Sequence, residues 1–184
     1  MHLIKLNQVR KNYLNQTFDL EIHQKDFILV SGENGKGKTT LIQLVLGYIY
    51  PDHGYIEGKK LKIGFLPERA SLPLFVKVHT YLETLAKIKK TTMDHDLLYQ
   101  FHVPLSKSIH ELSKGNMQKL AIISTFLGKP DLIILDEPLS GLDQESADIL
   151  EQYISKKRGE GMSFMISTHQ PERFKHMCTK HLVL

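Results

Sequence analysis

Gly32, Glu33, Asn34, Gly35, Lys36, Gly37, Lys38 and Thr39 form the pattern GxxxxGK[ST]. Residues of these types at this spacing suit one task, the grip of a polyphosphate. The three glycines let backbone N–H groups turn inward around phosphate oxygens, with Asn34 and Lys36 in the same turn. Lys38 would reach the outer phosphates and the Thr39 hydroxyl would ligate Mg2+, while Thr40 carries the chain into a helix whose amino end adds roughly half a positive charge. A second group lies at 132–137, where Leu132, Ile133, Ile134 and Leu135 run into Asp136 and Glu137. One carboxylate at such a strand tip holds magnesium and the next accepts a proton from attacking water.

The elements that must position these groups follow from hydrophobic spacing. Residues 3–9 read as a strand, and 17–22 alternate polar and apolar side chains, the period of a sheet with one buried face, which predicts an antiparallel region at the amino end. The continuous apolar run 27–30 reads as a strand buried on both faces, leading through the glycine loop into a helix at 39–46 closed by Gly47 and Pro51. Residues 62–66 give another short strand. Segments 78–90 and 94–102 read as helices, with Leu82, Leu85, Ala86 and Ile88 as an apolar stripe. Ser113 is an N-cap for a helix to 127, stopped by Gly128 and Pro130. Strand 132–135, helix 144–157, strand 164–167, a last helix beginning at Pro171 and a strand at 181–184 complete the chain. The expected fold is α/β: a phosphate-loop NTPase core with a largely parallel sheet, the antiparallel amino-terminal region, and a helical subdomain inserted at about 70–127, all in one domain over 1–184. Ligands in such a sheet lie at the carboxyl ends of the strands.

Length and composition agree with this. At roughly 150 residues per domain, 184 residues make one domain, and 41% hydrophobic with 24% charged residues exclude a disordered or fibrous chain. The net charge of +4 comes with no basic run longer than Lys156, Lys157 and Arg158, so no nucleic-acid partner is expected. Cys178 stands alone and the 10 His residues show no zinc spacing, which fits a reducing compartment. Charged residues interrupt the first 30 positions where an export signal would be apolar, and the longest apolar stretch, 120–127, is far short of the ~20 residues of a membrane span. The expected location is cytoplasmic.

With both groups in this order, the chain resembles the ABC ATPase family, the nucleotide-binding cassettes of ABC transporters, over nearly all its length. Leu112, Ser113, Lys114, Gly115 and Asn116 resemble the signature LSGGQ, keeping Ser113 and Gly115 while Lys114, Asn116 and Lys119 depart from the pattern. Pro138 to Asp143 resembles the D-loop, Ser167, Thr168 and His169 the switch-histidine segment, and Tyr13 the aromatic that stacks on adenine. Gly64 to Glu68 resembles the Q-loop, with Glu68 where glutamine is common. The resemblance implies ATP and Mg2+ as ligands, with Tyr13, Asp143, Ser113 and Gly115 joining the phosphate loop at nucleotide and Glu68 joining Thr39 and Asp136 at the metal. It implies catalysis by Lys38, Glu137 and His169, and a sandwich of two cassettes, alike or different, in which Ser113 and Gly115 complete the partner's site. The partner in the membrane would be a separate permease subunit docking near Glu68 and the helical subdomain, which puts the chain on the cytoplasmic face of the cell membrane. The apolar run Leu72 to Val76 is either part of that dock or buried in the subdomain. The form Leu66, Pro67, Glu68 favours an exporter. The competing expectation is an ABC ATPase acting on ribosomes or DNA.

Overall fold

A computed structural model describes residues 2–93 and 95–184. Strands β1 (His2–Arg10), β2 (Thr17–His23) and β4 (His53–Gly58) form an antiparallel sheet in the order β2-β1-β4. Strands β3 (Phe27–Ser31), β5 (Ile63–Leu66), β6 (Leu132–Asp136), β7 (Ser163–Ser167) and β8 (Lys180–Val183) form a second sheet in the order β5-β6-β7-β3-β8, and each of its pairings is parallel. The helices are α1 (Lys38–Leu46), α2 (Val78–Ile88), α3 (His95–Gln100), α4 (Lys114–Phe126) and α5 (Gln144–Gly159). Asp94, where the sequence begins the helix of 94–102, lies outside the described residues.

The parallel strands alternate between two cores. Phe27, Leu29, Ile133, Leu135, Phe164 and Ile166 face one side and pack with Leu82, Leu97, Leu120 and Leu150 from α2, α3, α4 and α5, and with Phe101 just after α3. Ile28, Val30, Leu132, Ile134 and Met165 face the other, against Leu41, Ile42 and Leu44 of α1 and the inner residues of the antiparallel sheet. Burial on both faces explains why these strands read as continuous apolar runs. The helices between β5 and β6 therefore share their core with the sheet.

Two elements differ from the sequence reading. The antiparallel sheet has a third strand, β4, whose residues His53–Gly58 are exposed except for a half-buried Ile56. An edge strand with one inward side chain carries almost no periodic signal. The expected helix from Pro171 is instead two 3-10 turns, Pro171–Arg173 and Lys175–Met177. The chain between β7 and β8 is short and pinned twice: Phe174 is fully buried against Phe27, and Arg173 reaches Asp148 at 2.9 Å and Glu151 at 3.2 Å on α5. Those anchors leave no room for a longer helix.

Candidate functional site

The phosphate loop leaves the carboxyl end of β3 and turns into α1 with its backbone wound for a small residue at both ends. Gly32 has φ 144° and Gly37 has φ 96°. A Cβ on Gly32 would collide with the Leu184 carbonyl oxygen, and one on Gly37 would meet the Gln16 amide at 2.6 Å. Left-handed backbone alone costs an L-residue roughly 1–2 kcal/mol, so alanine at either position would open the loop. Lys38, buried at the start of α1, donates from Nζ to the carbonyls of Gly32 at 2.8 Å and Glu33 at 3.1 Å. These bonds hold the ammonium inside the curve of the loop.

Opposite the loop, β6 delivers Asp136 at its last position. The Ser167 hydroxyl, at the end of the neighbouring β7, donates to Asp136 Oδ1, and the Thr39 hydroxyl donates to Oδ2 over 3.4 Å. Burial pushes the Asp136 carboxyl above its ordinary value, against the pull of the Ser167 hydrogen bond, and the nearby Glu68 adds to the rise. Glu137 follows with φ 50°, a left-handed conformation rare for a residue of its size. Its N–H is held by the Ser167 carbonyl at 3.1 Å and the Ser167 hydroxyl at 3.2 Å. Glu137 Oε2 accepts the His169 N–H at 3.2 Å. Oε1 is buried and accepts no hydrogen bond, although His169 Nε2 stands 3.1 Å away. Burial raises the Glu137 pKa, opposed by the His169 contacts. A carboxylate lining the cleft, with one oxygen that accepts no hydrogen bond, has the chemistry of a general base.

Tyr13, Asn34, Gly35, Gly37, Lys38, Thr39, Thr40, Glu68, Asp136, Glu137 and His169 line one cleft of about 760 Å³. Eleven residues singled out from the sequence thus converge, ten of them at or following the carboxyl ends of β3, β5, β6 and β7, and Tyr13 from the loop between β1 and β2. Five others do not line it. Gly32 lies at the loop's base against Leu184, and Lys36 is exposed on the outside of the turn with its carbonyl taken by the Gln16 amide. Ser113 caps α4, accepting the Asn116 N–H at 3.2 Å. Gly115 packs on the loop after Glu137, where a Cβ would come within 3.3 Å of the Gly141 carbonyl. Asp143 caps α5 by accepting the Ser146 N–H at 2.8 Å, and the Ser146 hydrogen bonds hold its carboxyl below the ordinary range. In this chain Asp143 serves the start of a helix.

The cleft also uses residues to which the sequence reading gave no role of their own. Leu14, Leu139, Ser140, Thr168 and Gln170 join its lining. Ser167 bridges the two acids, and Gln16 ties the loop after Tyr13 to the phosphate loop. Only the fold brings Ser167 beside Asp136, through the parallel register of β6 and β7. Replacing it with alanine removes a donor from a buried carboxylate, and we expect a loss of about 1–3 kcal/mol in a denaturant titration. A change under about 0.5 kcal/mol, the ordinary range for surface substitutions, would mean that Asp136 does not depend on this hydroxyl.

A family model described as ABC transporter matches residues 15–140, more than half of the chain. The ABC transporter ATP-binding protein YhaQ of Bacillus subtilis (strain 168) is 35% identical over 182 residues, covering 90% of this chain and 61% of its own length. The zinc import ATP-binding protein ZnuC of Rickettsia bellii (strain RML369-C) is 35% identical over 178 residues, covering 90% of this chain and 76% of its own. Among solved structures, the ATP-binding subunit of an ABC transporter superposes with TM-score 0.85 at 25% identity, over 99% of this chain and 85% of that one. The chain thus spans about three fifths of YhaQ. The matched stretch contains both the loop and the acidic strand tip that the fold brings into one cleft, and the chain belongs to the ABC transporter family, among its ATP-binding proteins.

Proposed function

We propose that this chain binds and hydrolyses ATP as the energy-supplying subunit of an ABC transporter, working on a separate membrane subunit from the cytoplasmic face of the membrane. The observation that carries the reading is the convergence of Lys38, Thr39, Asp136 and Glu137 on one cleft. The loop amides and Lys38 grip the phosphates, Tyr13, 64% exposed at the cleft's edge, offers a ring for the base, and Glu137 takes the proton of the attacking water. His169 holds Glu137 through its backbone and presents its imidazole to the same space.

Mg2+ fits the oxygen donors present. The Asp136 carboxylate is buried with hydroxyls alone as hydrogen-bond donors, and Thr39 makes only a long contact to it. These two, with Glu68 across the cleft, would hold the ion. Among the described residues no cluster of three or more His, Cys, Asp or Glu forms a cage, and Mg2+ takes its remaining oxygens from water and phosphate. When bound it would neutralise charge on the phosphoryl oxygens. Glu68→Gln is expected to leave basal hydrolysis within about tenfold, because a residue sharing an ion contributes less than a general base, worth roughly 10²- to 10⁴-fold. Turnover as low as that of a Glu137 variant would place Glu68 in the catalytic step.

Ser113 and Gly115 support a site shared between two chains. They lie outside their own cleft, with Ser113 exposed at the amino end of α4, where backbone N–H groups attract an anion. Two chains facing each other would bring each Ser113 segment to the other's phosphate loop. Glu137→Gln removes the base while keeping the shape, so ATP should persist and hold two chains together, with a monomer in ADP. Adding Ser113→Arg should abolish that dimer. Light scattering decides it: a monomer with ATP, or a dimer indifferent to Ser113→Arg, would contradict the shared site.

Among the described residues no helix is long and apolar enough to cross a membrane, so the reading places the translocation path in the partner. Phe75, 86% exposed beside His110 and close in sequence to Glu68, gives that partner an apolar contact. The expectation of export is withdrawn. The name of YhaQ states no direction, and ZnuC, whose name does, is an import protein.

A further inference from the structure

A second cleft opens where α2 and α4 end, beside the residues that lead into β5 and β6. It has a volume of about 550 Å³, and Lys62, Lys87, Lys89, Lys90 and Lys129 all line it, together with the hydroxyl-bearing Thr91 and Thr92. No carboxylate is part of the lining among the described residues. Lys62 and Lys129 precede β5 and β6, so the cleft lies toward the amino ends of these strands, whereas the nucleotide cleft lies at the carboxyl ends.

Lysines near helix carboxyl ends are common because they complement the helix dipole. Lys89 fills that role here: its ammonium donates to the Ser124 and Leu127 carbonyls at the end of α4, both at 3.1 Å. The ammonium groups of Lys62, Lys87, Lys90 and Lys129 have no hydrogen bond or ion pair among the described residues. Nearby acids are committed elsewhere. Asp131 accepts the backbone N–H of Lys62 at 2.8 Å, and Glu160 pairs with Lys157 at 3.1 Å. Four uncompensated ammonium groups around one concavity repel each other, and a multiply charged anion between them relieves all the repulsions at once.

We propose that this cleft is a second anion site, which binds a group carrying two or more phosphates, either free in solution or on a lipid headgroup. Phosphate oxygens suit the ammonium groups as point charges, and Thr91 and Thr92 supply hydroxyl donors.

The test separates this cleft from the phosphate loop by using the Lys38→Ala protein. Inorganic tripolyphosphate is titrated into it at low salt in a calorimeter, and flotation with phosphatidylcholine vesicles, with and without phosphatidylglycerol or a bisphosphorylated inositol lipid, is run in parallel. One site per chain is expected, weakened by about tenfold when Lys62→Glu and Lys129→Glu are added, since two of the positive charges around the anion are reversed in sign. The milder Lys62→Gln, Lys129→Gln pair should lose less, and ATP hydrolysis by either pair with Lys38 intact should be unchanged. Tripolyphosphate binding assigns the free source, and flotation confined to the bisphosphorylated lipid assigns the headgroup. The absence of both, equal binding by the Glu pair and its parent, or flotation with any anionic vesicle regardless of phosphate number would overturn the proposal.

Discussion

Lys38→Ala should reduce ATP hydrolysis by at least about 10²- to 10³-fold, the range seen when one preorganised electrostatic donor is removed from a transition state. The structure gives the reason and limits the damage. The ammonium is held by the Gly32 and Glu33 carbonyls within the loop's curve, so it needs little reorganisation to meet a phosphate. Alanine keeps the helix start, as the best helix former, and removes a side chain that fills no apolar core. The variant should therefore melt near the parent protein while its ATP affinity falls. Radiolabelled ATP hydrolysis and a thermal melt on the same sample check this; a folded variant with parental turnover would show that the phosphate loop takes no part in hydrolysis.

Glu137→Gln has the second large expected effect, a fall of about 10²- to 10⁴-fold in hydrolysis with ATP binding retained. Glutamine keeps the volume and lets the side-chain oxygen continue to accept the His169 N–H. What disappears is the proton acceptor at Oε1, the oxygen the protein leaves without a hydrogen bond. A rapid single-turnover measurement separates binding from chemistry. Loss of binding together with turnover would assign Glu137 to holding the nucleotide.

The parts of this site legible in the sequence are those whose function requires special local chemistry. The phosphate loop announces itself because its glycines must adopt left-handed backbone at 32 and 37, and the apolar strand ending in two acids, a commonplace feature alone, gains its meaning beside that loop. Asp143 shows the opposite case. It occupies a position with a functional resemblance, yet its carboxylate is engaged at the start of α5, because Asp followed three residues later by a free N–H makes a helix cap whatever else it does. Ser167 and Gln16 were illegible because their roles depend on partners far along the chain, Asp136 and Lys36. Sheet register and loop packing make such pairs, and neither leaves a spacing to read. The same holds for β4, which exists because β1 has a free edge to pair.

The fold's two-core design also bears on function. Since β3 and β6 are buried on both faces, the phosphate loop and the acidic tip are mounted on strands packed between the two cores. The Ser113 segment stands on the exposed start of α4, whose far end is buried in the core with α2 and α3.

Hydrolysis of ATP in this cleft through Glu137 is the claim on which the rest depends. Release of inorganic phosphate from Mg-ATP by the purified chain, followed continuously beside the Glu137→Gln protein at equal concentration, tests it most directly. Steady release by the parent chain is expected, with a rate at least about 10²-fold lower in the variant; equal release by both, or none by a parent chain that binds ATP, would contradict it.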